Sequence, residues 1–361
     1  MGAICIILGT RPEIVKMSPV IRECQERKID FFVIHSGQHY SYNMDRIFFK
    51  ELELEEPKYN LGVGSGAHGV QTGTMLAKIE EILIKEKPWI VIVQGDTNTV
   101  LAGCLAAVKL GIKVAHVEAG MRSFDRTMPE EINRVVVDHT ADFNFAPNQN
   151  AIDNLVHEGI ELEKIVHSGN TLIDAVIQGS VISEVKSRIL DDLKLRKAEY
   201  VLATIHRQEN VDNRKRLGEI MAGISAVADE HRIEVILPLH PHTKKSLLEF
   251  DIVIPEGVTV IEPLGFMDFL KLESNAKLIM TDSGGIQEEA CALMVPCVTL
   301  RDNTEWLETL EIGSNMLSGA DAARIAEVTR TMLGRSRDWV CPIDGRGSGK
   351  MIVEYVLTHS M

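Results

Sequence analysis

At 361 residues the chain is long enough for two domains of ordinary size, and 45% hydrophobic with 25% charged residues is the composition of a globular protein with a sizeable core. The formal charge is −14, from 38 Lys+Arg against 52 Asp+Glu, which excludes general nucleic-acid binding because that needs a basic footprint. An anionic small ligand stays open, since a few local cations and backbone N–H groups suffice to hold one.

In chain order, short apolar β-branched runs alternate with longer amphipathic stretches. Strands are predicted at Ala3–Leu8, Phe31–His35, Trp89–Gln94, Lys113–Val117 and Phe143–Phe145. A second series follows at Tyr200–Ile205, Glu234–Leu239, Val258–Ile261, Leu278–Thr281 and Cys297–Leu300. Continuous apolar runs of this kind suit strands covered on both faces of a parallel sheet. Helices are predicted between them: Val70–Lys85 places Leu76, Ile79, Ile82 and Leu83 on one side, and Arg216–Glu230 does the same with Leu217, Ile220, Ile224 and Val227. The alternation implies an α/β fold of two doubly wound domains, with the break between Gly169 and Glu199 and a polar, mainly helical stretch, Ser183–Arg196, leading into the second. Ser348–Leu357 reads as a short final helix after the loop Asp344-Gly345-Arg346-Gly347. No apolar stretch reaches about 18 residues, so no membrane-spanning helix is expected, and the first residues carry no signal-peptide pattern. The six cysteines (Cys5, Cys24, Cys104, Cys291, Cys297, Cys341) form no Cys-x-x-Cys pair and read as reduced thiols of a cytoplasmic protein.

Ligands of open α/β sheets sit at the carboxyl ends of strands, and several motifs fall there. Gly9-Thr10-Arg11-Pro12-Glu13 ends the first strand and places Arg11 and Lys16 to meet an anion, or leaves them as a solvated basic pair at a helix start. Gln94-Gly95-Asp96-Thr97-Asn98 puts Asp96 at a strand tip, as a cleft carboxylate or an N-cap. His116-Val117-Glu118-Ala119-Gly120 adds Glu118, and Met128-Pro129-Glu130-Glu131-Ile132-Asn133-Arg134 adds Glu130 and Glu131 in a first helical turn, where acids also serve as dipole partners. Close carboxylates raise each other's pKa, which suits general acid–base chemistry. His206, in Thr204-Ile205-His206-Arg207, is a candidate acid or ligand contact from the second domain. Thr281-Asp282-Ser283-Gly284-Gly285-Ile286-Gln287-Glu288-Glu289 follows a strand and opens a helix whose bare N–H groups would bind phosphate; the alternative is that Asp282 or Ser283 is only an N-cap. Leu239-His240-Pro241-His242 lacks the partners of a metal site. Gly64-Ser65-Gly66-Ala67-His68-Gly69 fits the dinucleotide pattern in spacing alone: no strand is predicted to feed it, and it reads as a flexible loop.

Taken together and in this order, these motifs, with Gly169-Asn170-Thr171, His206-Arg207 and Leu239-His240-Pro241, closely resemble the non-hydrolysing UDP-N-acetylglucosamine 2-epimerases from Gly9 to about Gly349. The resemblance implies the GT-B fold, two Rossmann-like domains with an interdomain cleft and a C-terminal helix crossing back to the first. That gives a first domain of residues 1–170 plus 346–361 for the sugar and its catalytic carboxylates, and a second of residues 171–345 for UDP. It also implies Asp96, Glu118, Glu130 and His206 as acid/base and positioning groups. Arg11, Lys16, Ser283, Gly284, Gly285 and Glu289 would hold the nucleotide, with Phe266 near the uracil. The implied reaction is anti elimination of UDP to 2-acetamidoglucal and re-addition, with no cofactor or metal, in a homodimer. Two positions depart from the family pattern. Thr304-Glu305-Trp306 carries Trp where Arg is usual, as do relatives acting on UDP-diacetamido-uronic acids. Gln38-His39-Tyr40 carries Tyr where enzymes with a regulatory substrate site carry Arg. A glycosyltransferase, a hydrolysing epimerase and a nucleotide-sugar sensor are the competing readings.

Overall fold

The computed structural model describes residues 2–37, 42–343, 345 and 347–359. The Gln38-His39-Tyr40 position, and with it the reading of regulation, lies outside them, as do Asp344 and Arg346 of the late loop. The chain divides into two compact units, Met1–Ala175 with Asp344–Met361, and Val176–Ile343.

The first unit is built on a seven-stranded parallel sheet of β1 (Ile4–Leu8), β2 (Phe31–His35), β3 (Tyr59–Asn60), β4 (Ile90–Gln94), β5 (Lys113–Val117), β6 (Phe143–Ala146) and β7 (Ile165–His167), in the order β3-β2-β1-β4-β5-β6-β7. All five residues of β1 and of β4 are buried. That is why these strands read as unbroken apolar runs rather than alternating ones: helices cover both faces. The order reverses between β1 and β4, which are hydrogen-bonded neighbours. At such a switch point the two outgoing loops part and leave a crevice at the carboxyl edge.

The second unit repeats the plan with β8 (Tyr200–Thr204), β9 (Glu234–Pro238), β10 (Val258–Ile261), β11 (Leu278–Thr281), β12 (Cys297–Thr299) and β13 (Asn315–Leu317), in the parallel order β10-β9-β8-β11-β12-β13. Its switch point lies between β8 and β11. Leu217, Ile220, Ile224 and Val227 of the helix Arg214–His231 are buried against one face of this sheet, as their spacing predicts.

The sequence pattern misses β3, β7 and β13. Each is two or three residues long and sits at a sheet edge, too short to carry a hydrophobic period. One consequence is a correction. A strand does precede the glycine-rich run: β3 ends at Asn60 and a helix begins at His68, so Gly64–Gly69 closes a strand-to-helix connection and its last two residues are helical. The Ser183–Arg196 stretch is the end of the helix Thr171–Lys186 followed by the short turn Ile189–Asp192, and the unit boundary falls inside the longer helix, after Ala175.

The last helix, Ser348–Thr358, belongs to the first unit. It buries Ile352, Val353 and Val356. Asp174 accepts the Gly347 and Gly349 N–H groups at 3.3 and 3.0 Å, Arg27 pairs with Glu354 at 2.6 Å, and the Tyr355 ring stands edge-on to Phe143 and Phe145 at 5.6 Å. Gly349 is there because nothing larger fits: a Cβ would stand 2.6 Å from the Pro19 backbone carbon in the helix Arg11–Glu26. Two Rossmann-type parallel sheets in one chain, with the final helix returned to the first unit, constitute the GT-B fold.

Candidate functional site

In the first unit the predicted residues gather where β1, β4 and β5 end. Glu13 closes a capping box on the turn after β1: one oxygen accepts the Gly9 and Thr10 N–H groups at 2.8 and 2.7 Å and the Thr10 hydroxyl at 2.9 Å. Its other oxygen accepts the Thr97 hydroxyl at 2.7 Å, tying this turn to the one after β4. Burial pushes the Glu13 carboxyl up, and those four donors hold it down only in part. Thr97, not Asp96, caps the helix Asn98–Lys109, so the capping alternative for Asp96 falls away. Asp96 pairs with Arg134, and Asn133 fixes the Asp96 carbonyl at 2.8 Å.

Glu118 stands at φ +69°, in the left-handed region that non-glycine residues seldom occupy. Such backbone strain costs about 1–3 kcal/mol and concentrates at functional positions. The side chain is held by Lys16 and by the Gln94 amide, each at 2.6 Å. Of the two adjacent glutamates, Glu131 is committed to structure: it accepts the Ser123 and Phe124 N–H groups, both at 3.0 Å, and pairs with Arg134 at 2.8 Å. Burial would raise its carboxyl, but these donors bring it below the ordinary range. Glu130 is half-buried, and among the described residues its side chain has no hydrogen-bond or ion-pair partner. Arg11 lies over the Phe48 ring at 5.5 Å and pairs with buried Asp45 at 3.3 Å.

Beneath these turns lies a buried ionic group that sequence reasoning left without a role. His116 on β5 contacts Asp138 through Nδ1 at 2.6 Å and the Gly95 carbonyl through Nε2 at 2.8 Å. Asp138 also accepts the Gly120 N–H at 3.1 Å and Arg122 at 2.7 Å, and Arg122 is bidentate to Glu158. Burial disfavours charge on both members of the central pair. Their mutual attraction wins: His116 titrates above, and Asp138 below, its ordinary value.

In the second unit Asp282 follows β11 and is fully buried. Its carboxylate turns away from the helix it precedes and grips the turn after β8. It accepts the His206 and Arg207 N–H groups at 3.1 and 3.0 Å and the Asn210 amide at 3.1 Å, and it lies 3.1 Å from His206 Nδ1. Burial opposes that charge, and the donors still bring Asp282 below the usual carboxylate range. The His206 side chain is 43% exposed, so its far edge is available to a ligand. Ser283 is the N-cap of the helix Gly284–Ala292, and its side chain makes no capping hydrogen bond. The first turn therefore lacks the side-chain acceptor that would make Ser283 an ordinary cap. The nearest atoms to a Cβ at Gly284 or Gly285 would belong to Arg207, Trp306, Glu305 and Glu289, none nearer than 3.7 Å. Phe266 opens the helix Phe266–Asn275 after β10, its ring edge 3.3 Å from where a Gly179 Cβ would stand.

Glu273 is wholly buried beside Glu289, and burial first, then the Glu289 charge, raises its carboxyl well above the ordinary range. A carboxyl raised on folding keeps a proton that the unfolded chain releases. Stability therefore falls as pH rises from the ordinary glutamate range, about 4.3, towards the folded value. Glu273→Gln, neutral at every pH, is expected to melt above the parent by a margin that widens between about pH 5 and about pH 8. Parallel melting curves across that range would contradict the buried acid.

Residues 22–350 match the family model described as UDP-N-acetylglucosamine 2-epimerase. A UDP-N-acetylglucosamine 2-epimerase of Methanococcus maripaludis is 53% identical, over 99% of this chain and 98% of that one. A crystal structure of the Methanocaldococcus jannaschii UDP-GlcNAc 2-epimerase, in complex with UDP-GlcNAc and UDP, superposes with a TM-score of 0.82 at 51% identity over 99% of both chains. The UDP-2,3-diacetamido-2,3-dideoxy-D-glucuronate 2-epimerase of Pseudomonas aeruginosa is 41% identical over 92% of this chain and 93% of its own.

Proposed function

We propose, from the premise that this chain belongs to the UDP-N-acetylglucosamine 2-epimerase family, that it interconverts UDP-GlcNAc and UDP-ManNAc without hydrolysis, by anti elimination of UDP and re-addition to 2-acetamidoglucal. The observation that carries the reading is positional. Asp96 and the Gly9–Glu13 turn flank the switch point of one sheet, and His206 and the Ser283–Gly285 helix start flank that of the other. In this reading the first unit handles the sugar and the second holds UDP.

The chemistry sets what is needed. The C2 proton is not acidic, so it leaves as the C1–O bond breaks and positive charge builds at C1. Carboxylates stabilise that charge and also move protons. Asp96, Glu118 and Glu130 fill these roles with His206 in this reading, and the lack of a partner for Glu130 among the described residues supports it as the acid that exchanges a proton. The departing diphosphate takes the electron pair, so it needs cations and N–H donors: Arg11, Lys16 and the Ser283, Gly284 and Gly285 turn. Glu289 takes the ribose hydroxyls and Phe266 the uracil. On re-addition UDP returns to C1 while C2 is protonated on the opposite face. Atoms and electrons balance with no redox step, metal or cofactor. The enzyme acts as a cytoplasmic homodimer supplying a polysaccharide precursor.

Incubation with UDP-GlcNAc in deuterium oxide tests this. Deuterium should enter C2 of both epimers, and no free sugar should form. A transferase or sensor leaves C2 protonated, and a hydrolysing epimerase releases N-acetylmannosamine. A second reading, C2 epimerisation of a UDP-2,3-diacetamido-uronic acid, is favoured by Trp306, whose indole nitrogen lies 3.7 Å from where a Gly284 Cβ would stand. The same assay with that substrate, compared by kcat/KM, decides between them.

A further inference from the structure

We propose that His116 is a positioning residue for the proton-transfer groups: held as an imidazolium between Asp138 and the Gly95 carbonyl, it locks the Asp96 turn and the Glu118 turn into one rigid floor. The inference rests on the epimerase reading and deepens it.

The protonation state follows from the contacts. The Gly95 carbonyl can only accept, so Nε2 carries a hydrogen across its 2.8 Å. Asp138 Oδ2 already accepts from Gly120 N–H and Arg122. A carboxylate receiving those donors is ionised and acceptor-only, so Nδ1 carries the second hydrogen across 2.6 Å. The two ring hydrogens then reach opposite sides of the site. Nε2 fixes the peptide immediately before Asp96. Nδ1 fixes Asp138, and Asp138 fixes Gly120, two residues after Glu118. The Gly95 N–H completes the loop by donating to the Val117 carbonyl at 3.0 Å. Asp96 and Glu118 thus hang from one closed ring of hydrogen bonds whose hub is a single side chain, 1% exposed.

This hub also explains how Glu118 keeps its left-handed backbone. A strained residue persists only where its surroundings over-determine it, and His116, Asp138 and Gly120 bracket it on both sides. The groups facing the ring are Asp138, Glu118 and the Gly95 carbonyl, with Arg122 behind Asp138. Charge within the network cancels, two cations (His116, Arg122) against two anions (Asp138, Glu158), which is what allows it to be buried.

The direct test is nitrogen NMR of uniformly active protein labelled at histidine, with His116→Asn supplying the assignment. Both His116 ring nitrogens should be protonated near pH 7; one bare nitrogen overturns the proposal. The kinetic test uses His116→Gln, whose two amide hydrogens sit on one nitrogen and cannot span the two acceptors that the imidazole reaches from Nδ1 and Nε2. Its kcat for UDP-GlcNAc epimerisation should fall on the order of 10²-fold, the scale of a small misplacement of catalytic groups, while the calorimetric Kd for UDP stays within about twofold. Asp138→Asn removes the charge that holds the ring proton, so its turnover should decline as pH rises through the ordinary histidine range, about 6.5, where the parent's does not. An unchanged kcat in His116→Gln, or a parental pH profile in Asp138→Asn, overturns the positioning role. The parent enzyme's own turnover is measured first, so failure of the epimerase reading shows as an inactive parent, and the NMR result stands apart from activity if a variant does not fold.

Discussion

Glu118→Gln is expected to lose turnover by about 10³-fold or more while still binding UDP, and Asp96→Asn is expected to do the same. General acid–base groups contribute roughly 10²–10⁴ in rate, and loss of a stabilising charge at the oxocarbenium-like centre adds to that. Both substitutions keep side-chain volume, and glutamine meets the same backbone demand as glutamate at φ +69°. What they remove is the negative charge and the capacity to take a proton. Each also takes one anion from a cation: Glu118 from Lys16, whose nitrogen now stands 2.6 Å away, and Asp96 from Arg134, which keeps Glu131. A calorimetric titration with UDP separates lost chemistry from lost binding, and deuterium incorporation at C2 reads the proton transfer itself. If both variants turn over near the parental rate, the carboxylates are elsewhere.

The second large effect is on folding. Gly120→Ala should destabilise the chain by about 4 kcal/mol or more, the range reached only by specific steric or burial faults. Gly120 sits at φ +79°, where an added Cβ is unfavourable by about 1–2 kcal/mol before any contact is counted. The contact is worse: the Cβ would stand 2.2 Å from the Ala151 carbonyl oxygen and 2.8 Å from its carbon. That oxygen is backbone within the helix Gln149–His157, and the helix is itself tied back by Asn154 donating to the Gly120 carbonyl at 2.9 Å. No side chain can swing aside to relieve it. Scanning calorimetry should show the melting temperature lowered on the order of 10 °C. A shift of about 2 °C or less would mean that the helix can recede.

The strands that carry the site were legible in the sequence because parallel strands covered on both faces are spelled as unbroken apolar runs, and the motifs after them fall where the sheets end. What stayed hidden is what pairs across the chain. Lys16 and Glu118 are 102 residues apart, and His116 and Asp138 are 22 apart; no local pattern announces either meeting. The same limit applies to Glu130 and Glu131. They are adjacent and chemically alike, and only the fold shows that one is consumed by Ser123, Phe124 and Arg134. Asp282 reads as a possible helix cap by its position before Ser283. Its actual partners lie at residues 206–210, on the neighbouring strand's turn. Arg134 belonged to a quoted motif yet had no role until the structure placed it on Asp96.

The return of the helix Ser348–Thr358 to the first unit bears on how the protein is made. Domains usually close in the order in which they leave the ribosome, but here the opening half of the chain waits for its closing residues. Until they emerge, the surface around Pro19 and Phe143 stays uncovered, and the nascent chain carries an unfinished first half through the synthesis of the entire second. A message cut short before the codons for Ser348–Thr358 therefore damages the part of the protein that was translated first.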